Sequence, residues 1–148
     1  PLKASDCGLP VPVGPDLVAV VLDGGRLALI ELGGDAATVR WERRLSGPAV
    51  GEPIAVPGGI RLAQGAQVIG FTLDGAALPA VTLSATATAT AAVEHGAAIG
   101  CQDGAVMFLR EGVVAWTSPG PAPVTAVALE AGQLVVADGL GGVTGYAW

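Results

Sequence analysis

The chain has 148 residues, 51% of them apolar and only 14% charged, with a net charge of −6 from 13 acids against 7 bases. That balance excludes the concentrated positive surface nucleic acids require: Arg40, Arg43 and Arg44 form the one basic cluster, and Trp41 and Glu42 interrupt it. The 23 glycines and 11 prolines argue for short strands punctuated by turns rather than for helices or disorder.

A weak motif returns four times along the chain. An apolar–Ala/Pro–apolar triplet, followed three residues on by Gly or Asp, occurs at Val11-Pro12-Val13…Asp16, Ile54-Ala55-Val56…Gly59, Ala91-Ala92-Val93…Gly96 and Val127-Ala128-Leu129…Gly132. The intervals are 43, 37 and 36 residues. A period near 40 with several strands per unit is the mark of a propeller-like array, because one unit cannot bury its apolar face alone.

Taken in order, the first unit has Leu17 to Leu22, a turn at Asp23-Gly24-Gly25, Arg26 to Leu32, and Thr38 to Leu45. The run Leu17 to Leu22 is about a third of what a membrane span needs, and it suits an inner strand enclosed on both faces. Thr38 to Leu45 alternates as an outer strand should, with Val39, Trp41 and Leu45 on one face and Arg43 as the exception. The second unit runs through Ile54 to Val56, Ile60 to Ala63, Val68 to Thr72 and Leu78 to Leu83. In the third, the Thr/Ala alternation from Ser84 to Val93 reads as an ordered innermost strand, with small side chains suited to a crowded axis. Ala97 to Cys101, Val106 to Leu109 and Val113 to Thr117 follow. The fourth has Val124 to Leu129, Leu134 to Ala137 and Val143 to Trp148, without an outer strand. Across units, Leu27, Val68, Val106 and Val143 form one column, and Ile30, Phe71, Leu109 and Tyr146 a second, three residues on.

The expected fold is therefore all-β: one domain over 1–148, a β-propeller of four consecutive four-stranded blades (8–46, 47–83, 84–118 and 119–148), the last incomplete. It closes either as a small ring, with Leu2 to Ser5 supplying the missing strand, or as half of an eight-bladed ring completed by a second copy or a partner. Open edges favour closure of some kind.

The repeat resembles the PQQ-like, quinoprotein-type β-propeller repeat, whose blades read Gly-x-Leu-Tyr-Ala-Leu-Asp-x-x-Thr-Gly-x-x-Leu-Trp. The third unit offers Gly104-Ala105-Val106-Met107-Phe108-Leu109 through to Trp116; the second offers Val68 to Pro79, with Pro79 where Trp would stand; the first has Leu27-Ala28-Leu29-Ile30-Glu31 and ends at Trp41. The family's eight-bladed members include quinone-cofactor dehydrogenases and non-catalytic outer-membrane assembly scaffolds, and the resemblance implies a bacterial-type protein of the second, non-catalytic kind. It also implies that Trp41 and Trp116 pack between blades. The dehydrogenases carry adjacent cysteines and a calcium site with amide ligands. Here Cys7 and Cys101 lie far apart and there is no Asn. The expectation is a non-enzyme without cofactor or metal.

His95, the only histidine, sits in a turn beside Glu94 with no nucleophile placed near it, so a solvated turn residue is the expectation. Asp23, Asp103 and Asp138 mark equivalent turns. A ring of carboxylates at one mouth could take a cation or a basic partner, although Asp-Gly is also good turn chemistry. With the terminal Trp148 they are the partner-contact candidates. Cys7 and Cys101 either pair, if the ring brings them together, or stay as buried thiols. The chain opens Pro1-Leu2-Lys3 without the pattern of a signal peptide, and the compartment stays open. The preferred function is a protein-binding or scaffold module that presents mouth loops to a protein partner, or self-associates to complete a ring. It involves no nucleic acid and no membrane span. The alternative is a small-ligand module or enzyme fragment with an axial pocket, which a Thr/Ala strand plugging the axis would eliminate.

Overall fold

The computed structural model describes residues 8–23, 25–130 and 132–148. Among these residues, fifteen strands form four antiparallel sheets, each meandering outward in chain order. The first holds β1 (Val11–Gly14), β2 (Leu17–Leu22), β3 (Arg26–Gly33) and β4 (Ala36–Arg44). The second holds β5 (Ala49–Val56), β6 (Gly59–Gln64), β7 (Gln67–Thr72) and β8 (Ala77–Thr82). The third holds β9 (Ala87–Val93), β10 (Gly96–Cys101), β11 (Val106–Arg110) and β12 (Val113–Ser118). The fourth has three strands, β13 (Val124–Glu130), β14 (Gln133–Asp138) and β15 (Val143–Ala147). These are propeller blades. The innermost strand of the first is β1, so Leu17–Leu22 is one place further out than its unbroken apolar character suggested. Pro12 and a register shift after it keep β1 short.

Each inner strand leans on the blade before it: β5 on β1 and β2, β9 on β5 and β6, and β13 on β9 and β10. Three apolar seams result. Ala19, Val21, Leu27 and Leu29 meet Ile60 and Leu62. Ile54, Ala63 and Val68 meet Ala97, Ile99, Met107 and Leu109. Ala98, Val106 and Phe108 meet Val124, Leu134 and Val136. Among the described residues, no comparable packing joins the fourth blade to the first, so the array stands open. The strand proposed for Leu2 to Ser5 lies outside the described residues.

The two sequence columns are true structural columns. Leu27, Val68, Val106 and Val143 stand opposite Val21, Ala63, Gly100 and Ala137. Ile30, Phe71, Leu109 and Tyr146 stand opposite Val18, Ile60, Ala97 and Leu134. The inner turn calls for a left-handed residue, which is the recurring residue itself at Asp16 and Gly132 and lies one place before the recurring Gly59 and Gly96. In every blade the first and second strands are joined by a two-residue turn whose last residue has positive φ: Asp16 (56°), Gly58 (70°), His95 (67°) and Gly132 (76°). Its carbonyl accepts from the amide of Leu32, Leu73, Glu111 or Trp148, respectively. Left-handed backbone costs a side-chain-bearing residue about 1–2 kcal/mol, which glycine's extra unfolded-state entropy only partly offsets. His95→Gly is therefore expected to stabilise the fold by about 0.5 kcal/mol and His95→Val to destabilise it, as thermal unfolding of the two variants will show.

The outer-strand tryptophans sit where the resemblance implied. Trp41 pairs with Leu29, and Trp116 pairs with Phe108. Trp41 reaches the next blade, its Nε1 donating to the Leu73 carbonyl at 2.9 Å with its ring beside Phe71. Arg43, the exception on that face, explains itself. Its guanidinium lies 5.4 Å from the Trp41 ring centre and donates to the Gly75 carbonyl at 2.7 Å, so a cation caps the seam. In the second blade Gly70 occupies the place of Leu29 and Phe108, and the Arg61 side chain lies over it. Arg61 Nη1 donates to Pro79 O at 2.6 Å, and desolvation by burial pulls the guanidinium pKa down.

Candidate functional site

Two regions gather the chemistry-bearing side chains. The first is the end of the array carrying the turns between second and third strands. Asp23 lies in the β2–β3 turn, Asp103 in the β10–β11 turn and Asp138 at the β14–β15 turn. The topology places all three at one end, but at three different turn positions, and each carboxylate is used locally. Asp23 pairs with Arg26 at 2.5 Å. The Asp103 Oδ1 accepts from the Ala105 amide at 3.0 Å, and hydrogen bonds from Ser84 and from that amide hold its carboxyl below the usual carboxylate range. Asp138 Oδ1 accepts from the Leu140 and Gly142 amides at 2.9 and 2.8 Å. In the second blade the corresponding strand end is Gln64, buried, whose amide oxygen accepts from the Gly47 and Ser46 amides at 2.6 and 3.0 Å and so ties down the link from the first blade. The turns are thus rigid platforms with exposed acidic edges, formed by the Asx chemistry that also makes them turns.

The second region is the axis. A cavity of about 770 Å³ runs along β1, β5 and β9, toward the end opposite the aspartates. Pro12, Glu52, Pro53, Thr90, Glu94 and His95 are among its lining residues. The Thr/Ala strand lines this space rather than plugging it. Its hydroxyls hold the neighbouring blades: Thr88 donates to the Val124 carbonyl at 2.6 Å, and Thr90 to Val50 O at 3.5 Å. Sequence reasoning missed Glu52. It lies in an irregular stretch of β5, where Gly51-Glu52-Pro53 stand between the paired residues Val50 and Ile54, and Gly51 takes φ 70° against Thr90. The proline and the glycine were the available signals.

His95 is largely exposed in its turn, with Nε2 3.3 Å from Glu94 and Nδ1 3.8 Å from Glu111. Among the described residues, no Ser or Cys accompanies it in that turn. Among the described residues there is no group of three or more His, Cys, Asp or Glu side chains that could hold a metal ion. Cys101 is a buried thiol whose pKa desolvation raises, which makes it a poor nucleophile. Its pairing with Cys7 lies outside the described residues. Trp148 follows β15 at the opposite end from the aspartates. It is half-buried, its ring 4.9 Å from Phe108, and among the described residues its buried Nε1 has no hydrogen-bond partner. Among the described residues no helix is long and apolar enough to cross a membrane.

No family model matches this chain, and no curated protein sequence matches it. Solved structures do. The WD40 β-propeller domain of Doa1 superposes with a TM-score of 0.72 at 14% identity, over 96% of this chain and 51% of that one. BamB from Moraxella catarrhalis gives 0.73 at 16%, over 95% of this chain and 43% of its own. BBS1N, in complex with ARL6DN, gives 0.71 at 17%, over 87% and 45%. The chain therefore spans about half the length of these three structures. At such identities the likeness shows the fold: this is a β-propeller array.

Proposed function

We propose that the chain is a non-catalytic binding or scaffold module built of PQQ-like repeats, whose exposed turns engage a protein partner. The carrying observation is the acidic end. Three blades present Asp23, Asp103 and Asp138 on turns braced by their own hydrogen bonds, so a basic partner meets a preformed charged surface. Half-exposed Trp148, at the far end, is the fourth contact candidate. BBS1N, which shares the fold, occurs in complex with another protein, which supports this reading by analogy. A partner or a second copy also covers the open end of the array.

The test is capture from the source extract on immobilised chain, beside a triple variant Asp23→Asn, Asp103→Asn, Asp138→Asn. Asparagine keeps the turn-bracing acceptor oxygen and removes the charge. Discrete proteins released by moderate salt, and held at least tenfold less by the variant, are expected; equal retention by both chains overturns the proposal. The axial cavity favours a second reading, a small-ligand module. A soaked fragment library that leaves residues 90–95 unperturbed in NMR spectra would remove it.

A further inference from the structure

The cavity on the axis is chemically one-sided. It lies along β1, β5 and β9, the inner edges of the first three blades. Val11, Ile54, Val56, Ala91 and Val93 give it apolar walls. Its polar groups are mostly acceptors. Glu52 and Glu94 bring carboxylates, and Pro12, Pro53 and Pro57 bring carbonyl oxygens with no N–H beside them. Among the described residues, no Lys or Arg lines the space. His95 is the one lining residue able to carry positive charge, and it stands between two carboxylates, with Nε2 3.3 Å from Glu94 and Nδ1 3.8 Å from Glu111. The same sign continues around the mouth. The described residues of the four inner turns, Pro15-Asp16, Pro57-Gly58, Glu94-His95 and Gly132, include no Lys or Arg, and Glu130 ends the inner strand beside the last of them. A cleft with low-dielectric walls and charge of one sign concentrates its counter-charge.

We propose that the axial cavity binds an aliphatic polyamine, a chain of methylenes carrying two or more ammonium groups. The proposal rests on the small-ligand reading of that cavity and names the class of ligand. Ammonium groups supply the donors that the lining lacks, and methylene segments match the apolar wall of Ile54, Val56 and Val93. Glu52 lies in β5 and Glu94 just beyond β9, on neighbouring blades, so separated carboxylates meet separated ammonium groups. Other cations fit less well. A metal ion needs its ligands gathered in one coordination sphere, and among the described residues no three His, Cys, Asp or Glu side chains are so gathered. A quaternary ammonium is held by aromatic faces, and no aromatic side chain lines the cavity. A volume of about 770 Å³ also leaves room for an extended chain. Both glutamates are exposed, so salt screens the attraction and binding is strongest at low ionic strength.

The test is titration of spermidine into the isotope-labelled 148-residue chain at low ionic strength, followed by amide NMR shifts. Saturable shifts are expected at residues 52–56 and 90–95, with affinity weakened about tenfold or more in the double variant Glu52→Gln, Glu94→Gln. Both substitutions are isosteric and at exposed sites, and unchanged circular dichroism will confirm folding. An uncharged diol of matching length should leave the same amides unmoved. The triple variant Asp23→Asn, Asp103→Asn, Asp138→Asn removes more charge from the far end of the array and should bind spermidine as the unaltered chain does. Equal weakening by the two variants would mean that spermidine follows net charge alone, and overturns the proposal, as does a diol that binds equally well. Shifts at 90–95 from neutral or anionic fragments but not from spermidine overturn the polyamine and leave the small-ligand reading standing. Silence at those residues from fragments and spermidine alike removes both.

Discussion

Phe108→Ala is expected to cost about 3–5 kcal/mol, roughly a fifth or more of the stability of a typical domain. Phe108 is fully buried at the centre of the third seam, its ring 5.6 Å from that of Trp116 on its own blade and 4.9 Å from that of Trp148 on the next. Removing it leaves a hole flanked by two large rings that the rigid sheets cannot draw together, so the cavity cost adds to the lost burial. The melting temperature should fall by roughly 6–20 °C, and the emission of Trp116 and Trp148 should shift red as water reaches them. Phe71, half-buried beside Trp41, is the control and should cost clearly less on the same substitution. Equal losses at the two sites would mean that the seam is not packed as described.

Gly100→Ala is the second large effect, and its partner is identifiable. A methyl group at Gly100 would run into the side chain of Val124 at the start of β13, with the Val124 Cβ only 2.7 Å away. Overpacking of this kind costs about 1–3 kcal/mol, because either the blades separate or a side chain leaves its rotamer. Val124→Ala alone should cost about 1–3 kcal/mol through the void it opens. Together the two changes exchange bulk across the seam, so the double variant should be more stable than the sum of the singles by about 1 kcal/mol or more. Urea unfolding of the four proteins measures that coupling. Strict additivity would show that the third and fourth blades do not meet at these residues.

The repeat was legible chiefly through apolar columns that must face a neighbour; the left-handed turn residue coincides with the recurring Gly or Asp only at Asp16 and Gly132. Trp41 and Trp116 were legible as outer-strand partners of the apolar columns, whereas in the second blade it is Leu78, not Pro79, that pairs with Gly70 in the corresponding place. The innermost strand of the first blade was less so, since four residues containing a proline carry little periodicity, while Leu17–Leu22 reads as buried wherever it lies. Arg43 looked like a break in pattern, because a sequence does not reveal that a guanidinium can cover an indole; nor does it reveal that Arg61 fills the space above Gly70. At the candidate site, Asp-Gly chemistry revealed the acidic turns, whereas Glu52 sits in an irregularity where Gly51 lies against Thr90 of the next blade, which local sequence does not reveal. The bare face of the fourth blade was invisible for a simpler reason: alternating Ala, Val and Gly have the same letters whether or not another sheet lies on them.

The three seams are separate clusters joining four blades, and this sets how the molecule comes apart. In a linear chain of neighbours the end unit is held by one seam and an interior unit by two, so opening starts at an end and moves inward. The fourth blade, with one seam and three strands, is the weak terminus, and its backbone amides should exchange with solvent well before those of β10. Covering its outer face would add a seam and convert a fraying end into an interior position, which slows opening of the whole array.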